Sequence, residues 1–228
     1  MVDMIRLKNI NKIYGDKIKT QVLFDINLNF AAGSFNSIIG ESGSGKSTML
    51  NIIGTLDKPT SGEVYIADDR TDTLDKQALA SLRNQTMGFI FQFHYLLPEF
   101  TAKENILMPY RIHDYHVPKD VNEWADELLQ LVGLTKVSNN LANDMSGGQQ
   151  QRTAIARALI NRPKIILADE PTGNLDSDTT ENVYKILRDI NERYQTTFVI
   201  ITHDQRIAEK TDRIIEVKDG RIHLDLKR

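Results

Sequence analysis

The sequence predicts an α/β fold built on a parallel sheet, with further strands at the N-terminus and a helical segment inserted between sheet strands. Two short runs, Ile165 to Ala168 and Phe198 to Ile201, are wholly apolar, as is typical of strands buried on both faces of a parallel sheet. Helix-forming stretches alternate with such strands from residue 35 onward, which is the order that parallel α/β sheets require. No linker, low-complexity tract or internal repeat interrupts the 228 residues. We therefore expect one domain over residues 1–228.

The N-terminal strands are predicted from the alternation of apolar and polar side chains. The alternation runs through residues 5–10 and again, more strictly, from Phe24 to Phe30. Ala32 and Gly33 then predict a turn, which is followed by a short apolar strand at residues 37–39.

Between about residues 93 and 161 the strand patterns disappear. Apolar residues recur there along one helical face, at Val121, Trp124, Ala125, Leu128, Leu129 and Val132. This stripe predicts the core of a small helical lobe, with a partner-binding role for Trp124 as the alternative. We therefore expect an α/β lobe of residues 1–92 and 162–228 and a helical lobe of residues 93–161.

The composition excludes several classes of protein. The chain has 28 Lys and Arg residues against 31 Asp and Glu residues, so its formal net charge of −3 gives no bulk attraction to nucleic acid. It has no cysteine, which excludes disulfides, thiolate metal sites and cysteine nucleophiles. The longest apolar runs have four residues, against about 20 for a membrane-spanning helix. We expect a soluble, cytoplasmic protein that reaches a membrane only through a partner.

A glycine-rich loop stands between a predicted strand and a predicted helix. It fits the pattern G-x-x-x-x-G-K-[ST] and reads Gly40-Glu41-Ser42-Gly43-Ser44-Gly45-Lys46-Ser47. Glycines let the backbone curl, so that successive N–H groups converge on phosphate oxygens at the positive end of the following helix. Lys46 would reach the β- and γ-phosphates, the Ser47 hydroxyl would bind Mg²⁺, and Thr48 would be a further donor. The loop predicts binding of a nucleoside triphosphate.

Polar side chains follow the predicted buried strands. Asp169, at the tip of the first apolar strand, is predicted to hold the Mg²⁺ of the triphosphate, and Glu170 to polarise a water for in-line attack on the γ-phosphate. A pair of solvated acids at a strand end is the alternative. His203, after the second apolar strand, would hydrogen-bond the γ-phosphate or orient Glu170. Gln92 ends a further short strand, where its amide would bind Mg²⁺ and sense the γ-phosphate.

A second glycine motif, Ser146-Gly147-Gly148-Gln149, precedes a helical run. Ser146 and Gln149 fit a capping box. The box does not explain the two glycines, each of which costs up to about 1 kcal/mol inside a helix relative to alanine. Bare backbone at a helix N-terminus is what phosphate binding requires. The motif therefore predicts a second phosphate-binding surface.

With this motif the sequence resembles the ATP-binding cassette (ABC) family along essentially its whole length. Met145 to Gln149 is similar to the family's signature, in which leucine is the usual first residue. The other family elements stand in the expected order: Tyr14 for the aromatic that stacks on adenine, Gln92 for the Q-loop, Asp169 and Glu170 for the Walker B pair, Asn174-Leu175-Asp176 for the D-loop, and His203 for the switch histidine. The resemblance implies a P-loop NTPase fold with a RecA-like mixed-sheet core, an N-terminal antiparallel β subdomain and an inserted α-helical subdomain.

The resemblance also implies a mechanism that one chain cannot complete. Two cassettes pair head to tail in a homodimer, and each ATP, with its Mg²⁺, lies between one subunit's phosphate loop and the other subunit's signature helix. Ser146, Gly147, Gly148 and Gln149 would therefore act in trans, and Asp176 would couple the two sites. The pairing is two-fold symmetric, and hydrolysis acts as a conformational switch.

A single cassette with no membrane segment resembles the separate ATPase subunit of a transporter. Residues 88–98 and 169–177 are similar to the lipoprotein-releasing (LolD-like) and macrolide-exporter (MacB-like) branch. This implies a permease partner with four spanning helices and a large extracytoplasmic domain, a place on the inner face of the cell membrane, and export of lipoprotein, peptide, drug or haem, or force transmission. Five apolar side chains would either complete the helical core or receive the permease's coupling helix: Phe91, Phe93, Tyr95, Leu96 and Leu97.

Three other functions share the phosphate loop. Soluble cassette proteins that act on ribosomes usually carry two cassettes and a charged linker, and DNA-repair or chromosome ATPases split the cassette with a long coiled coil. A P-loop kinase would leave the motif at residues 146–149 unexplained. Because this sequence has one cassette and no heptad region, a transporter ATPase is the prediction. A soluble ABC ATPase acting on ribosomes or DNA is the alternative.

Overall fold

The computed structural model describes residues 2–173 and 175–228. Within these residues the strands are β1 (Asp3–Tyr14), β2 (Thr20–Ala31), β3 (Phe35–Ile39), β4 (Ser61–Ile66), β5 (Asp69–Arg70), β6 (Met87–Phe91), β7 (Ile165–Asp169), β8 (Thr197–Ile201), β9 (Arg213–Lys218) and β10 (Arg221–Lys227). The helices are α1 (Lys46–Ile53), α2 (Lys76–Thr86), α3 (Ala102–His113), α4 (Lys119–Leu131), α5 (Gly147–Leu159), α6 (Ser177–Tyr194) and α7 (Gln205–Ala208). Each of these helices is too short or too polar to span a bilayer.

A mixed six-stranded sheet brings the polar strand ends together. Its strand order is β10-β9-β3-β8-β7-β6, and all neighbours are parallel except β9 and β10. The register pairs Phe91 with Asp169 and Asp169 with Ile201. Residues that follow β6, β7 and β8 therefore leave the sheet side by side, at the carboxyl edge where α/β proteins bind ligands. The predicted α/β class is confirmed.

Strands β7 and β8 are covered on both faces, as their apolar sequences predict. Ile165 and Leu167 belong to the core shared with β1, β2 and α1, whereas Ile166 and Ala168 belong to the core shared with α3 to α6. All four side chains are fully buried.

The N-terminal strands are also confirmed, in a four-stranded antiparallel sheet of order β2-β1-β4-β5. Alternation in β2 is strict only from Ile26, because the pairing with β1 shifts between Leu23 and Ile26 and Asp25 has φ 48°. Such a shift is a β-bulge, which adds one residue to one strand. The Asn11 side chain holds the bulge, donating to Asp25 Oδ1 at 3.0 Å and accepting from Asp25 N at 3.1 Å. Phe24 is consequently half-buried.

The segment between β6 and β7 is helical, as predicted. Of the residues the structure describes there, only Thr101 and Leu141 form a bridge of the β type. The predicted stripe packs into the core: Val121 is half-buried and the other five residues are buried. Trp124 is 8% exposed and lies edge-on to Tyr194. The structure therefore favours the core interpretation of Trp124.

An ion pair between buried Arg213 and the more exposed Asp225 fastens β10 to the sheet. Arg213, 7% exposed, donates from Nε and Nη2 to the two carboxylate oxygens of Asp225, each at 2.6 Å, and also donates to the Asn29 carbonyl. The guanidinium holds the pKa of Asp225 below its usual range, and desolvation opposes this effect. Since the folded-state pKa is lowered, the pair stabilises the fold above the unfolded-state pKa. That contribution is lost as the pH falls through the folded-state value.

We expect Asp225→Asn to lower the free energy of unfolding by roughly 0.5–1.5 kcal/mol at neutral pH, because buried Arg213 loses a charged partner that is itself partly screened by water. The difference from the unsubstituted protein should begin to shrink below about pH 4, the ordinary pKa of an aspartate, and should disappear only below the lowered pKa of folded Asp225. Denaturant unfolding at neutral pH and again well below pH 4 measures the free energy of unfolding of both proteins. Glu123→Gln, which breaks the exposed Lys119–Glu123 pair, is the control and should change stability by less than about 0.5 kcal/mol. Equal losses in the two variants would contradict the prediction.

Candidate active site

The phosphate loop leaves β3 and ends where α1 begins. Gly40 has φ 147° and Gly45, the N-cap of α1, has φ 104°. A Cβ at Gly40 would lie 2.1 Å from the Val217 carbonyl oxygen, and one at Gly45 would lie 2.8 Å from Leu23 Cδ2. None of the described side chains caps α1, so the first backbone N–H groups of the helix point toward the space where an anion would bind.

A cavity of about 600 Å³ lies over this loop. Its described lining consists of Val22, Gly40, Ser42, Gly43, Gly45, Lys46, Ser47, Thr48, Gln92, Asp169, Glu170, Ile201 and His203. The fold thus brings together the loop and the predicted polar residues that follow β6, β7 and β8. Sequence reasoning did not single out Val22 and Ile201, whose apolar side chains carry no chemical signal.

Glu41 and Ser44 are not among the lining residues, although both belong to the predicted loop. Ser44 is turned inward, and its buried hydroxyl has no hydrogen-bond partner among the described residues. Lys46 Nζ donates to the carbonyl oxygens of Gly40 at 2.9 Å and Glu41 at 2.7 Å. The ammonium group is therefore held inside the loop, where a phosphate would meet it. The roles of Glu41 and Ser44 remain predictions.

Asp169 and Ser47 meet at the base of the cavity. The Ser47 hydroxyl donates to the Asp169 carboxylate. Burial raises the pKa of Asp169, the charge of Glu170 raises it further, and Ser47 and Lys46 act in the opposite direction.

The donor set fits Mg²⁺. Mg²⁺ prefers oxygen ligands and binds through one or two carboxylates together with substrate phosphates and waters. Over residues 2–173 and 175–228 no cluster of three or more His, Cys, Asp or Glu side chains forms a metal site. Ser47, Asp169 and Gln92 each carry an oxygen of the kind that such an ion binds.

Glu170 is held in place by its backbone and by His203. The residue has φ 48°, in the left-handed region that non-glycine residues rarely adopt, and its N–H donates to the Ile201 carbonyl at 3.0 Å. Strained backbone of this kind concentrates at functional sites. His203 Nδ1 lies 2.8 Å from Glu170 Oε2. The Glu170 side chain is 18% exposed and that of His203 is 70% exposed, so the pair opens onto the cavity.

Gln92 follows β6 and lies against Gly173. A Cβ at Gly173 would come within 2.8 Å of Gln92 Nε2 and within 3.1 Å of its amide carbon. The bare Cα of Gly173 therefore gives the amide its position beside the segment that follows Glu170.

The signature segment lies outside the cavity: none of Ser146 to Gln149 is among the described lining residues. The capping box is present, with Ser146 N donating to Gln149 Oε1 at 2.9 Å. Ser146 and Gly147 are exposed, and apart from the adjacent residues and the nearby backbone of α5, no described atom lies within 4 Å of a Cβ built on Gly147. A Cβ on Gly148 would lie 2.8 Å from Thr179 Cγ2. Packing against Thr179 within the same chain thus explains why residue 148 is a glycine. No such contact explains Gly147, which presents bare backbone to the exterior.

The structure describes Asp176 of the D-loop segment, but not Asn174. Asn174 lies outside the described residues. Asp176 caps α6: its two carboxylate oxygens accept from Thr179 N at 3.0 Å and Thr179 Oγ1 at 2.8 Å. Hydrogen bonds from Thr179 lower the pKa of Asp176, and the backbone N–H has a larger effect than the hydroxyl. Coupling of two sites through Asp176 remains a prediction.

Helix α5 is tied to the cavity loops by two residues that sequence reasoning missed. Gln151 Nε2 donates to the Pro171 carbonyl at 2.5 Å. Arg157 donates to the carbonyls of His94 and Tyr95, both at 2.6 Å. Two long polar side chains on a helix that is otherwise largely buried could have indicated that they bind specific partners. The partners themselves could not be predicted, because they are distant in sequence.

Tyr14 ends β1 and is 41% exposed. It is not among the described residues that line the cavity. Its hydroxyl does contact Thr48, and Thr48 lines the cavity. Its assignment as the base-stacking residue remains a prediction.

We expect Lys46→Ala to weaken triphosphate binding roughly 10- to 150-fold, which is the effect of losing a charged hydrogen bond of about 1.5–3 kcal/mol. Equilibrium binding of a fluorescent ATP analogue measures it. Lys103→Ala is the control, because Lys103 pairs with Asp126 and does not line the cavity. Unchanged binding by the Lys46 variant would contradict the assignment.

Comparisons with known proteins show which family and which relatives this chain is similar to. The family model described as "ABC transporter" matches residues 23–173. The chain is similar to the "Lipoprotein-releasing system ATP-binding protein LolD 1" of Rhodopseudomonas palustris, with 47% identity over 97% of this chain and 99% of the relative. It is similar to the "Lipoprotein-releasing system ATP-binding protein LolD" of Anaeromyxobacter dehalogenans, with 48% identity over 97% of this chain and 93% of the relative.

Among solved structures, the chain is similar to the ATP-binding cassette MJ0796 in a dimeric, post-hydrolysis state bound to ADP and Pi. The TM-score is 0.90 and the identity 45%, and the match covers 98% of both chains.

Proposed function

This chain belongs to the ABC transporter family of ATPases, and from that premise we propose that it is the ATP-hydrolysing subunit of a membrane transporter and works in head-to-tail pairs. One observation carries the pairing. The phosphate loop, Asp169, Glu170 and His203 share a cavity, whereas exposed Ser146 and Gly147 lie outside it with bare backbone. Helix N-termini of this kind bind anions, and a second copy would supply the anion.

In the proposed reaction the chain binds the triphosphate with its loop and α1, and Lys46 contacts the β- and γ-phosphates. Glu170 accepts a proton from the attacking water, and His203 holds the Glu170 carboxylate toward the γ-phosphate. Ser47, Asp169 and Gln92 would hold Mg²⁺, which when bound neutralises charge on the phosphate oxygens. Signature residues of the second copy would complete the γ-phosphate site.

The division into lobes supports a conformational role. We assign residues 1–92 and 162–228 to the catalytic α/β lobe and residues 93–161 to the helical signature lobe. Gln151 joins the two lobes, since it donates from α5 to the Pro171 carbonyl. Within the helical lobe, Arg157 ties α5 to His94 and Tyr95, which come just after Gln92. A change at Gln92 or Glu170 would therefore move the signature helix.

A groove beside these contacts suits the membrane partner. It has a volume of about 440 Å³, and its mostly apolar lining includes Leu56, Phe89, Phe91 and Ile112. Nearby Phe93, Tyr95 and Leu97 are 64%, 65% and 40% exposed, which favours the docking interpretation of this segment over the core interpretation. Exposed apolar surface of this kind marks interaction sites. The occupant would be a cytoplasmic helix of the permease, holding this chain on the inner face of the membrane.

The proposed cargo is a lipoprotein. Peptide, drug and haem export are the other options that the resemblance implies, but curated relatives at 47–48% identity over nearly their whole length are named for lipoprotein release. The permease would carry four spanning helices and a large extracytoplasmic domain.

Affinity capture tests the transporter assignment. Tagged Glu170→Gln protein is incubated with MgATP and detergent-solubilised membranes of the source cell, and co-purifying chains are identified by mass spectrometry. Recovery of a four-helix permease is the expected result. Recovery of ribosomal or DNA-bound proteins alone would favour the soluble alternative.

A further inference from the structure

The ring of Tyr14 is anchored through its hydroxyl. Tyr14 Oη donates to Asp57 Oδ2 at 2.6 Å, and the Thr48 hydroxyl also contacts it. Burial raises the pKa of Tyr14 above its ordinary value, and the bond to Asp57 raises it further, so the phenol stays protonated and keeps donating. An exposed aromatic ring is thereby joined both to the loop that follows α1 and to α1 itself.

A nearly buried lysine completes the anchor. Lys12 is 8% exposed, and its Nζ donates to Asp57 Oδ1 at 2.6 Å and to the Lys58 carbonyl at 2.7 Å. The same Nζ lies 4.6 Å from the centroid of the Tyr14 ring, within the range of a cation–π contact. Burial alone would raise the pKa of Asp57, but the bonds from Lys12 and Tyr14 outweigh it and lower the pKa. The carboxylate is therefore ionised when it accepts both bonds.

This arrangement holds a 41% exposed ring in a fixed direction. The Lys12 ammonium group covers one face of Tyr14, and the contacts of the hydroxyl with Asp57 and Thr48 fix the direction of the ring. A flat aromatic group held in this way loses little conformational freedom when a second ring stacks on it. Thr48 also lines the phosphate cavity, so the anchored ring is joined to the element that binds the triphosphate.

We propose that Asp57 and Lys12 are positioning residues for the nucleobase: they fix the Tyr14 ring so that the base of the bound nucleotide stacks on the face opposite Lys12. The inference rests on the proposed nucleotide function. It assigns to Lys12 and Asp57 a role in the affinity for the base, separate from the affinity for the phosphates. A network that merely fastened the end of β1 to the loop at residue 57 would affect both affinities alike through the fold.

Two probes separate these roles: ATP, and inorganic tripolyphosphate, which has the phosphates and no base. Their dissociation constants, with Mg²⁺, are measured by calorimetry on the full chain. Tyr14→Phe keeps the ring and removes only the anchoring hydroxyl. We expect it to weaken ATP binding roughly 3- to 10-fold, as loss of one hydrogen bond to a partly exposed charged group would, and to leave tripolyphosphate binding unchanged. Tyr14→Ala, which removes the stacking ring, should weaken ATP binding roughly 5- to 150-fold.

The chain contains a matched control. Tyr65 Oη donates to Glu63 Oε2 at 2.9 Å, and Arg6 and Lys8 lie 4.8 and 5.0 Å from its ring centroid. Tyr65→Phe therefore removes the same kind of phenol–carboxylate bond, beside the same kind of cation, on a strand that does not line the phosphate cavity. We expect it to leave both dissociation constants unchanged.

A double-mutant cycle tests whether Asp57 acts through Tyr14. Asp57→Asn should weaken ATP binding about as much as Tyr14→Phe, and the double variant should bind ATP no more weakly than either single variant. Additive losses, or equal weakening of ATP and tripolyphosphate, would overturn the inference. If Asp57→Asn protein does not fold, the comparison of Tyr14→Phe with Tyr65→Phe decides the question alone.

The controls also separate this inference from the proposed function. If the unsubstituted chain bound neither probe, the nucleotide function would fail and the inference with it. If it bound both and Tyr14→Ala still bound ATP normally, the nucleotide function would stand and only the inference would be overturned.

Discussion

Glu170→Gln protein is expected to bind MgATP and to hydrolyse it about 10²- to 10⁴-fold more slowly than the unsubstituted chain, which is the usual contribution of a general base. Glutamine has nearly the same shape as glutamate and does not accept the proton of the attacking water. His203 still has an oxygen at position 170 to contact, so the architecture of the cavity should persist. Phosphate release at saturating ATP, measured beside nucleotide binding, separates the lost step from lost affinity.

Glu181→Gln is the matched control for this prediction. Glu181 pairs with Lys210 and does not line the cavity, so its neutralisation should leave turnover within a factor of two. Because ATP is retained rather than consumed, the Glu170 variant should also accumulate as a pair in MgATP, at twice the monomer mass by light scattering. Near-normal turnover by Glu170→Gln would refute the role of the carboxylate.

Gly147→Ala is expected to abolish ATP-dependent pairing and to lower turnover about 10²- to 10³-fold, as the loss of a preorganised anion site would. Apart from the adjacent residues and the nearby backbone of α5, no described atom lies within 4 Å of the added Cβ. Alanine also favours the helical backbone by up to about 1 kcal/mol over glycine. The folded monomer should therefore be as stable as before, or slightly more stable, and it should bind ATP normally. Thermal unfolding, ATP binding and light scattering measure the three properties.

Gly148→Ala provides the contrast on the neighbouring residue. Its Cβ would lie 2.8 Å from Thr179 Cγ2, so α5 and the start of α6 must move apart. We expect a lower unfolding temperature as well as lower turnover. If Gly147→Ala lost stability in the same way, or paired normally in MgATP, its bare backbone would have no role between subunits.

The parts of the site that the sequence predicts are those specified by local pattern. The loop at residues 40–47 is contiguous, and its glycines are required by its own backbone. Asp169 and His203 follow apolar runs whose pairing in a parallel sheet places their ends at one edge. For these residues, spacing along the chain is enough to predict position in space.

The parts that the sequence does not predict depend on contacts between distant residues. Tyr14 and Asp57 are 43 positions apart, and no period or motif links them. Gly148 and Thr179 illustrate the same difficulty, because two adjacent glycines look equivalent until the packing of α6 separates their roles. The bulge at Asp25 was missed because a side chain on another strand, that of Asn11, stabilises it.

The three hydrogen bonds from α5 to the segments beside the cavity of its own chain bear on the thermodynamics of the proposed pair. Gln151 and Arg157 tie this helix to the segments after Glu170 and Gln92, while its first residues would face the ATP of the second copy. In the proposed pair, occupancy of one site would therefore change the affinity of the other, and two-fold symmetry would make this linkage mutual. Whatever free energy the first ATP contributes to binding of the second, the second contributes to retention of the first. Nucleotide saturation should therefore follow a sigmoid rather than a hyperbola, and both molecules should be held or released together.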